Sequence, residues 1–89
     1  MRLDVFLKRV GLVKQRSLAK EICDEGLVSV DGRVAKAGKE VEPGRVVEVD
    51  LETERLRIEV LGLPERNYRK EQGGAFYRTI EHEYKNLYS

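Results

Sequence analysis

Leu3, Phe6, Leu7 and Val10 recur at i, i+3, i+4 and i+7, the apolar stripe of a short amphipathic helix. Gly11 ends it, because glycine just past a helix takes the left-handed conformation that other residues resist. A basic connector, Leu12-Val13-Lys14-Gln15-Arg16, leads to Ser17. Its hydroxyl is suited to accept from a free backbone amide and so to cap a second helix. Lys20 stands where Glu or Gln would complete a capping box, so the cap is a single one. The second helix is expected to bury Leu18, Ala19, Ile22 and Cys23 and to stop at Gly26.

The period then changes from 3.6 to 2. Leu27-Val28-Ser29-Val30 and Arg33-Val34-Ala35 flank Asp31-Gly32, a pair that favours the type I′ turn of a tight hairpin. Residues 36–40 form a polar connection, and Pro43-Gly44 suits the centre of a type II turn. Residues 45–51 alternate as a strand. Leu56, Ile58 and Val60 mark another, with Arg55, Arg57 and Glu59 facing away. Residues 63–74, with Pro64 and Gly73-Gly74, read as a polar linker. Beyond it Phe76, Tyr77, Ile80, Tyr84, Leu87 and Tyr88 fall at helical spacing and predict an amphipathic helix or tail over residues 75–89. The expected fold is α+β: two N-terminal helices packed on a small antiparallel sheet, with a C-terminal helix or tail. It divides into a domain of residues 1–62, the linker and the terminal segment.

Length and composition narrow this reading. Eighty-nine residues, 40% hydrophobic and 37% charged, make one domain with a thin core and a heavily solvated surface. No apolar run approaches the ~20 residues a membrane helix needs. Lys8, Arg9 and Lys14 interrupt any secretion signal. Cys23 is alone, so no disulfide or cysteine-built zinc site forms within the chain. A cytosolic protein, monomeric when free, is expected.

The net charge of +1 conceals a division. Residues 1–20 hold six basic groups against Asp4, a net of +5; residues 1–39 carry +4, and residues 40–89 carry −3. Phosphate recognition needs several fixed cations, since affinity comes from neutralising backbone charges and releasing counterions. Arg2, Lys8 and Arg9 lie off the first helix's stripe. Lys14, Arg16 and Lys20 gather at the entrance to the second, where unpaired amides and the positive dipole end favour an anion. Asp4, an acid inside this cluster, reads as an ion-pair partner of Arg2, Lys8 or Arg16 ahead of a direct RNA contact.

Other chemistry finds little footing. His82, between Glu81 and Glu83, lacks a metal-ligand partner at i+4, where Asn86 stands. Cys23 fits the buried stripe and has no activating histidine nearby. Ser17 has no evident base, and no glycine-rich nucleotide-binding loop occurs. No cofactor or metal is expected. The aromatics Tyr68, Phe76, Tyr77, Tyr84 and Tyr88 are of a kind that stacks on unpaired bases. The spacing from 76 to 88 fits packing better.

Taken in order, Arg2-Leu3-Asp4-x-Phe6-Leu7, then Gly11-Leu12-Val13-Lys14-x-Arg16-Ser17-x-Ala19, then Gly26-x-Val28-x-Val30-Asp31-Gly32 resembles the RNA-binding domain named after small-subunit ribosomal protein four. Lys36, Val41, Pro43-Gly44 and Val47-x-Val49 continue the pattern, so it spans about residues 1–50. Such a domain is an alpha-L RNA-binding motif. Within the family the chain is similar to short free-standing members, the quality-control factors of the RqcP type and the ribosome-recycling heat-shock protein fifteen. That resemblance implies contacts to large-subunit rRNA and nascent-chain tRNA on dissociated large ribosomal subunits. For the RqcP type it also implies support for tailing by a partner elongation protein. The Arg16-x-Leu18-Ala19-Lys20 run and the length favour the RqcP type. The heat-shock relative has a longer, basic extension, whereas here Glu81 and Glu83 stand against Arg78 and Lys85.

Carried over by position, Arg2, Asp4, Lys8, Lys14, Arg16 and Lys20 would face RNA, with Arg9 and Ser17 beside them. Lys36 and Lys39 match less well. Two alternatives stay open: the RNA-binding part of a pseudouridine-synthase-type enzyme, or a protein-interaction adaptor using the aromatic tail. Nothing like a catalytic domain follows residue 62, which argues against the first.

Overall fold

A computed structural model describes residues 1–64 and 74–85. Two helices, α1 (Leu3–Arg9) and α2 (Arg16–Asp24), precede five strands: β1 (Val28–Val30), β2 (Arg33–Val34), β3 (Val46–Asp50), β4 (Glu54–Val60) and β5 (Tyr77–Tyr84). The strands form one sheet in the order β2-β1-β3-β4-β5, every neighbouring pair antiparallel. The α+β class expected from the periodicity is the one observed.

Local chemistry explains most of the boundaries. Gly11 and Gly26, at φ +82° and +77°, end the two helices in the left-handed region. Asp31 and Gly32 both have positive φ, 50° and 84°, as a type I′ turn requires. The Asp31 carboxylate also accepts from the Val46 amide at 2.9 Å and from Arg45 at 3.0 Å, tying the hairpin to the start of β3. Alternation then builds the core: Val47 lies opposite both Val30 and Ile58, and Val49 lies opposite Val28. These pack with Leu3, Phe6 and Leu7 of α1 and with Ala19, Ile22 and Cys23 of α2 in one apolar cluster. Burial pushes the Cys23 thiol up to about 11, aided by Asp4 and Asp24, so its place is in the core.

Three expectations need correction. The segment over Tyr77–Tyr84 is a strand, not a helix. Its β-branched and aromatic residues suit a pleated surface, and its pairing slips by one residue between Arg57 and Ile58, leaving Ile80 unpaired as a bulge. That extra residue stretches one step of the period-2 pattern, which made Tyr77, Ile80 and Tyr84 look helical. Ser17 does not cap α2: the N-cap is Gln15, without a side-chain cap bond, and the Ser17 hydroxyl reaches only the Gln15 side chain at 3.5 Å. Leu18 is 44% exposed rather than buried. Most of the expected linker, together with Tyr68, Leu87 and Tyr88, lies outside the described residues.

The N-terminus is laced to the loop that follows the hairpin. The Leu3 and Asp4 amides donate to the Lys39 and Ala37 carbonyls at 2.8 and 3.1 Å, and the Val41 amide donates to Met1 at 2.8 Å. The Met1 ammonium pairs with Glu40 at 2.8 Å. This stitching fixes the start of α1, and with it Arg2 and Asp4, against residues 36–41.

Candidate nucleic-acid interface

The first turns of α1 and α2 lie side by side, so residues twelve apart in sequence meet. At their centre is Asp4, 1% exposed. Its Oδ1 accepts from Arg2 Nε at 3.1 Å and from the Val5 amide at 2.8 Å. Its Oδ2 accepts from Arg2 Nη2 at 3.3 Å and Arg16 Nε at 3.2 Å. Burial alone would raise the carboxyl's pKa; the bonds from Arg2, Arg16 and Val5, with the Arg16 charge, outweigh it and hold the pKa below the ordinary value. Asp4 is therefore a buried anion that orients two arginines. Both guanidiniums remain about half exposed and keep N–H edges for an outside acceptor.

Around this clasp lies a shallow depression of about 310 Å³ lined by Arg2, Asp4, Arg16, Ser17 and Lys20. Three cations against one acid leave it positive. The uncapped N-terminus of α2 opens onto it through Arg16 and Ser17, adding orphan amides and the positive end of the helix dipole. A phosphate group fits these donors.

Five of the ten expected residues are thus brought together: Arg2, Asp4, Arg16, Ser17 and Lys20. Lys36 and Lys39 lie in an adjoining hollow with Arg33. The link is Arg2, whose guanidinium passes about 3.9 Å from where a side chain at Gly38 would begin. Lys8 is exposed one turn beyond Asp4 on α1. Two residues are placed elsewhere. Arg9 donates to the Pro64 carbonyl at 3.1 Å, so its guanidinium is engaged with the chain after β4. Lys14 stands at the rim of an apolar groove away from the clasp.

Arg33 was missed by the sequence reading. It directly follows the Asp31-Gly32 turn, and the hairpin's reversal brings it beside Lys36 and Lys39; the turn prediction carried that signal.

Pairing separates this surface from the rest. Among the described residues Lys8, Lys14, Lys20, Arg33, Lys36 and Lys39 make no ion pair, and all lie within residues 1–39. The later cations Arg45, Arg55, Arg57, Arg78 and Lys85 each pair with a carboxylate. His82, too, is matched to Glu54 at 2.7 Å on the sheet. No group of His, Cys, Asp and Glu among the described residues is arranged to hold a metal ion.

Comparison with known proteins gives the family. The S4 domain family matches residues 1–47. The chain is 39% identical over 83 residues to the RQC P-site tRNA stabilizing factor of Halalkalibacterium halodurans, covering 93% of each chain. To the factor of that name from Bacillus subtilis it is 37% identical over 83 residues, covering 93% of this chain and 95% of the relative. The trimeric structure of Vibrio cholerae heat shock protein 15 superposes with a TM-score of 0.81 at 26% identity, covering 89% of this chain and 80% of that one. The matched S4 region contains the Asp4 clasp and the hairpin, and the chain belongs to the S4-domain family, in the branch that holds these stabilizing factors.

Proposed function

We propose that this chain is a non-catalytic RNA-binding factor of ribosome-associated quality control, holding the P-site tRNA against large-subunit rRNA. The observation that carries the reading is the set of cations that, among the described residues, make no ion pair: all lie within residues 1–39, and most of them gather around the Asp4 clasp. Similarity over nearly the full length of factors named for stabilising P-site tRNA supplies the RNA. The chemistry is positioning: guanidinium and ammonium groups bind phosphates, and two packed helix ends read the shape of a folded RNA. The work is cytoplasmic, on dissociated large subunits carrying nascent-chain tRNA, alongside a tailing elongation protein. A pseudouridine-synthase role is disfavoured, since the relatives match over 93% and 95% of their own lengths and carry a stabilizing factor's name.

Sedimentation of cell extract tests the assignment: the protein should travel with free large subunits. Arg16→Ala should shift it to the top of the gradient while changing thermal stability little, because the Arg16 guanidinium is more than half exposed. Unchanged co-sedimentation of that variant would remove Arg16 from the interface.

A further inference from the structure

β5 ends the sheet on the side away from β2, and among the described residues no strand pairs with its outer edge. All of its residues after Tyr77 are exposed. An open edge turns every second backbone amide and carbonyl outward and is a template for another strand. Charged side chains usually guard such an edge. β5 carries Arg78, Glu81 and Glu83, and their placement decides whether they guard it or select a partner.

Set antiparallel to a copy of itself about a two-fold axis, β5 has one register that joins the whole strand. Tyr77 then lies opposite Tyr84, Arg78 opposite Glu83, Thr79 opposite His82 and Ile80 opposite Glu81. Symmetry repeats each pair, so Arg78 meets a carboxylate on both sides of the axis. Opposite charges and aromatic pairs directly across two strands are both favourable. A slip of two residues one way sets Arg78 against Lys85; the same slip the other way separates the tyrosines and leaves Glu83 opposite Phe76. The β-bulge makes the end-to-end register possible. In a regular strand of eight residues the first and last would lie on opposite faces. Ile80 stands outside the alternation, so Tyr77 and Tyr84 share a face, as do Arg78 and Glu83.

We propose that β5 is the pairing edge of a homodimer, in which two copies join antiparallel through residues 77–84 into one continuous sheet. The occupant is a second copy because the strand's charge and aromatic pattern complements its own reversal. Arg78 is 60% exposed and bonds Glu59 through Nε and Nη2 at 3.1 and 2.7 Å; a guanidinium has a further N–H edge for a second carboxylate. Glu83 is 55% exposed and meets Arg55 at 3.3 Å, and a carboxylate accepts from more than one donor. The intramolecular pairs thus extend into ladders that cross the seam. β2, with Arg33, Lys36 and Lys39 beside it, is at the opposite edge of the sheet, so the seam leaves those cations open. A strand pair of this length is a small interface, so the chain is a monomer when dilute and a dimer when concentrated. The inference does not depend on the RNA reading.

Sedimentation equilibrium over a concentration series tests this on the full chain, on Arg78→Glu and on Glu83→Arg. Both side chains are more than half exposed, so neither change disturbs the core. The natural chain should approach twice the monomer mass as concentration rises. Each variant alone sets like charges across both symmetry-related pairs and should weaken association by roughly tenfold or more. An equimolar mixture of the two should restore the dimer, because each altered position then faces the opposite charge on the other chain. Loss of the intramolecular pair to Glu59 or Arg55 cannot produce that rescue. In hydrogen exchange, the β5 amides that do not donate to β4 should be protected in the concentrated natural chain and not in the dilute one. A natural chain that stays monomeric, a mixture that stays monomeric, or a dimer indifferent to both variants would overturn the proposal. So would protection of those amides in the dilute monomer, which would show the edge covered from within the chain.

Discussion

Removing a negative charge from an RNA-binding surface should, by Coulomb's law alone, strengthen it. Asp4 is expected to do the opposite. Its carboxylate is buried and takes three hydrogen bonds from Arg2 and Arg16, so Asp4→Ala frees both guanidiniums to wander although the net charge rises. Affinity for large subunits should fall, and urea denaturation should show a loss of roughly 1–3 kcal/mol, the usual cost of orphaning partners of a buried polar group. The folded pKa is depressed, so this stabilisation is complete above the ordinary carboxylate value of 3.8 and is lost as pH falls through the folded value. The stability gap between the natural protein and Asp4→Asn should therefore shrink from pH 7 to pH 3. Tighter binding by Asp4→Ala would mean that Asp4 merely repels RNA. The sequence exposed Asp4 as an acid among bases. Which cations hold it was settled by the packing of α1 on α2, which no spacing rule encodes.

Elements whose cause lies within a few residues were legible in the chain. Asp31-Gly32 demands positive φ at two successive positions, and Gly11 and Gly26 each demand it once, so the hairpin and both helix ends could be placed from the sequence. Ser17 misled because the start of α2 answers to a distant partner. Arg16 must lie within the first turn for its Nε to reach Asp4, so the helix begins one residue before the serine that looked like its cap. β5 was hidden by its bulge. With Ile80 set aside, Tyr77, Thr79, His82 and Tyr84 share one face, while Arg78, Glu81 and Glu83 share the other and meet Glu59 and Arg55. Deleting Ile80 should thus regularise the strand instead of breaking it. The expected cost is roughly 1 kcal/mol, the partial burial of one side chain, with β4–β5 amide protection retained in hydrogen exchange. Loss of that protection would show that the alternation depends on Ile80 in line.

At the scale of the whole molecule, pairing matters more than net charge. The outer face of β3, β4 and β5 carries Arg55, Arg57 and Arg78, yet Glu48, Glu59, Glu81 and Glu83 lie against them. A phosphate approaching there would have to displace a carboxylate already in place. The N-terminal face presents Lys8, Lys20, Arg33 and Lys36 without an ion pair among the described residues, and Lys39 feels Asp31 only at longer range, so on the proposed reading each is available to exchange condensed counterions for RNA phosphates. The partition of charge along the sequence runs the same way as this asymmetry; the sheet register, which aligns the later arginines with glutamates, explains the matched charge among the described residues of the second half. Binding to large subunits measured across salt concentrations should give a log–log line whose slope reports the phosphates engaged, ~0.7–0.9 for each. Lys20→Ala should lower that slope by about one phosphate's worth. Arg57→Ala, which removes a cation of the same charge from the paired face, should leave it unchanged. Equal reductions in the two variants would extend the binding surface across the sheet and undo the distinction between matched and unmatched charge.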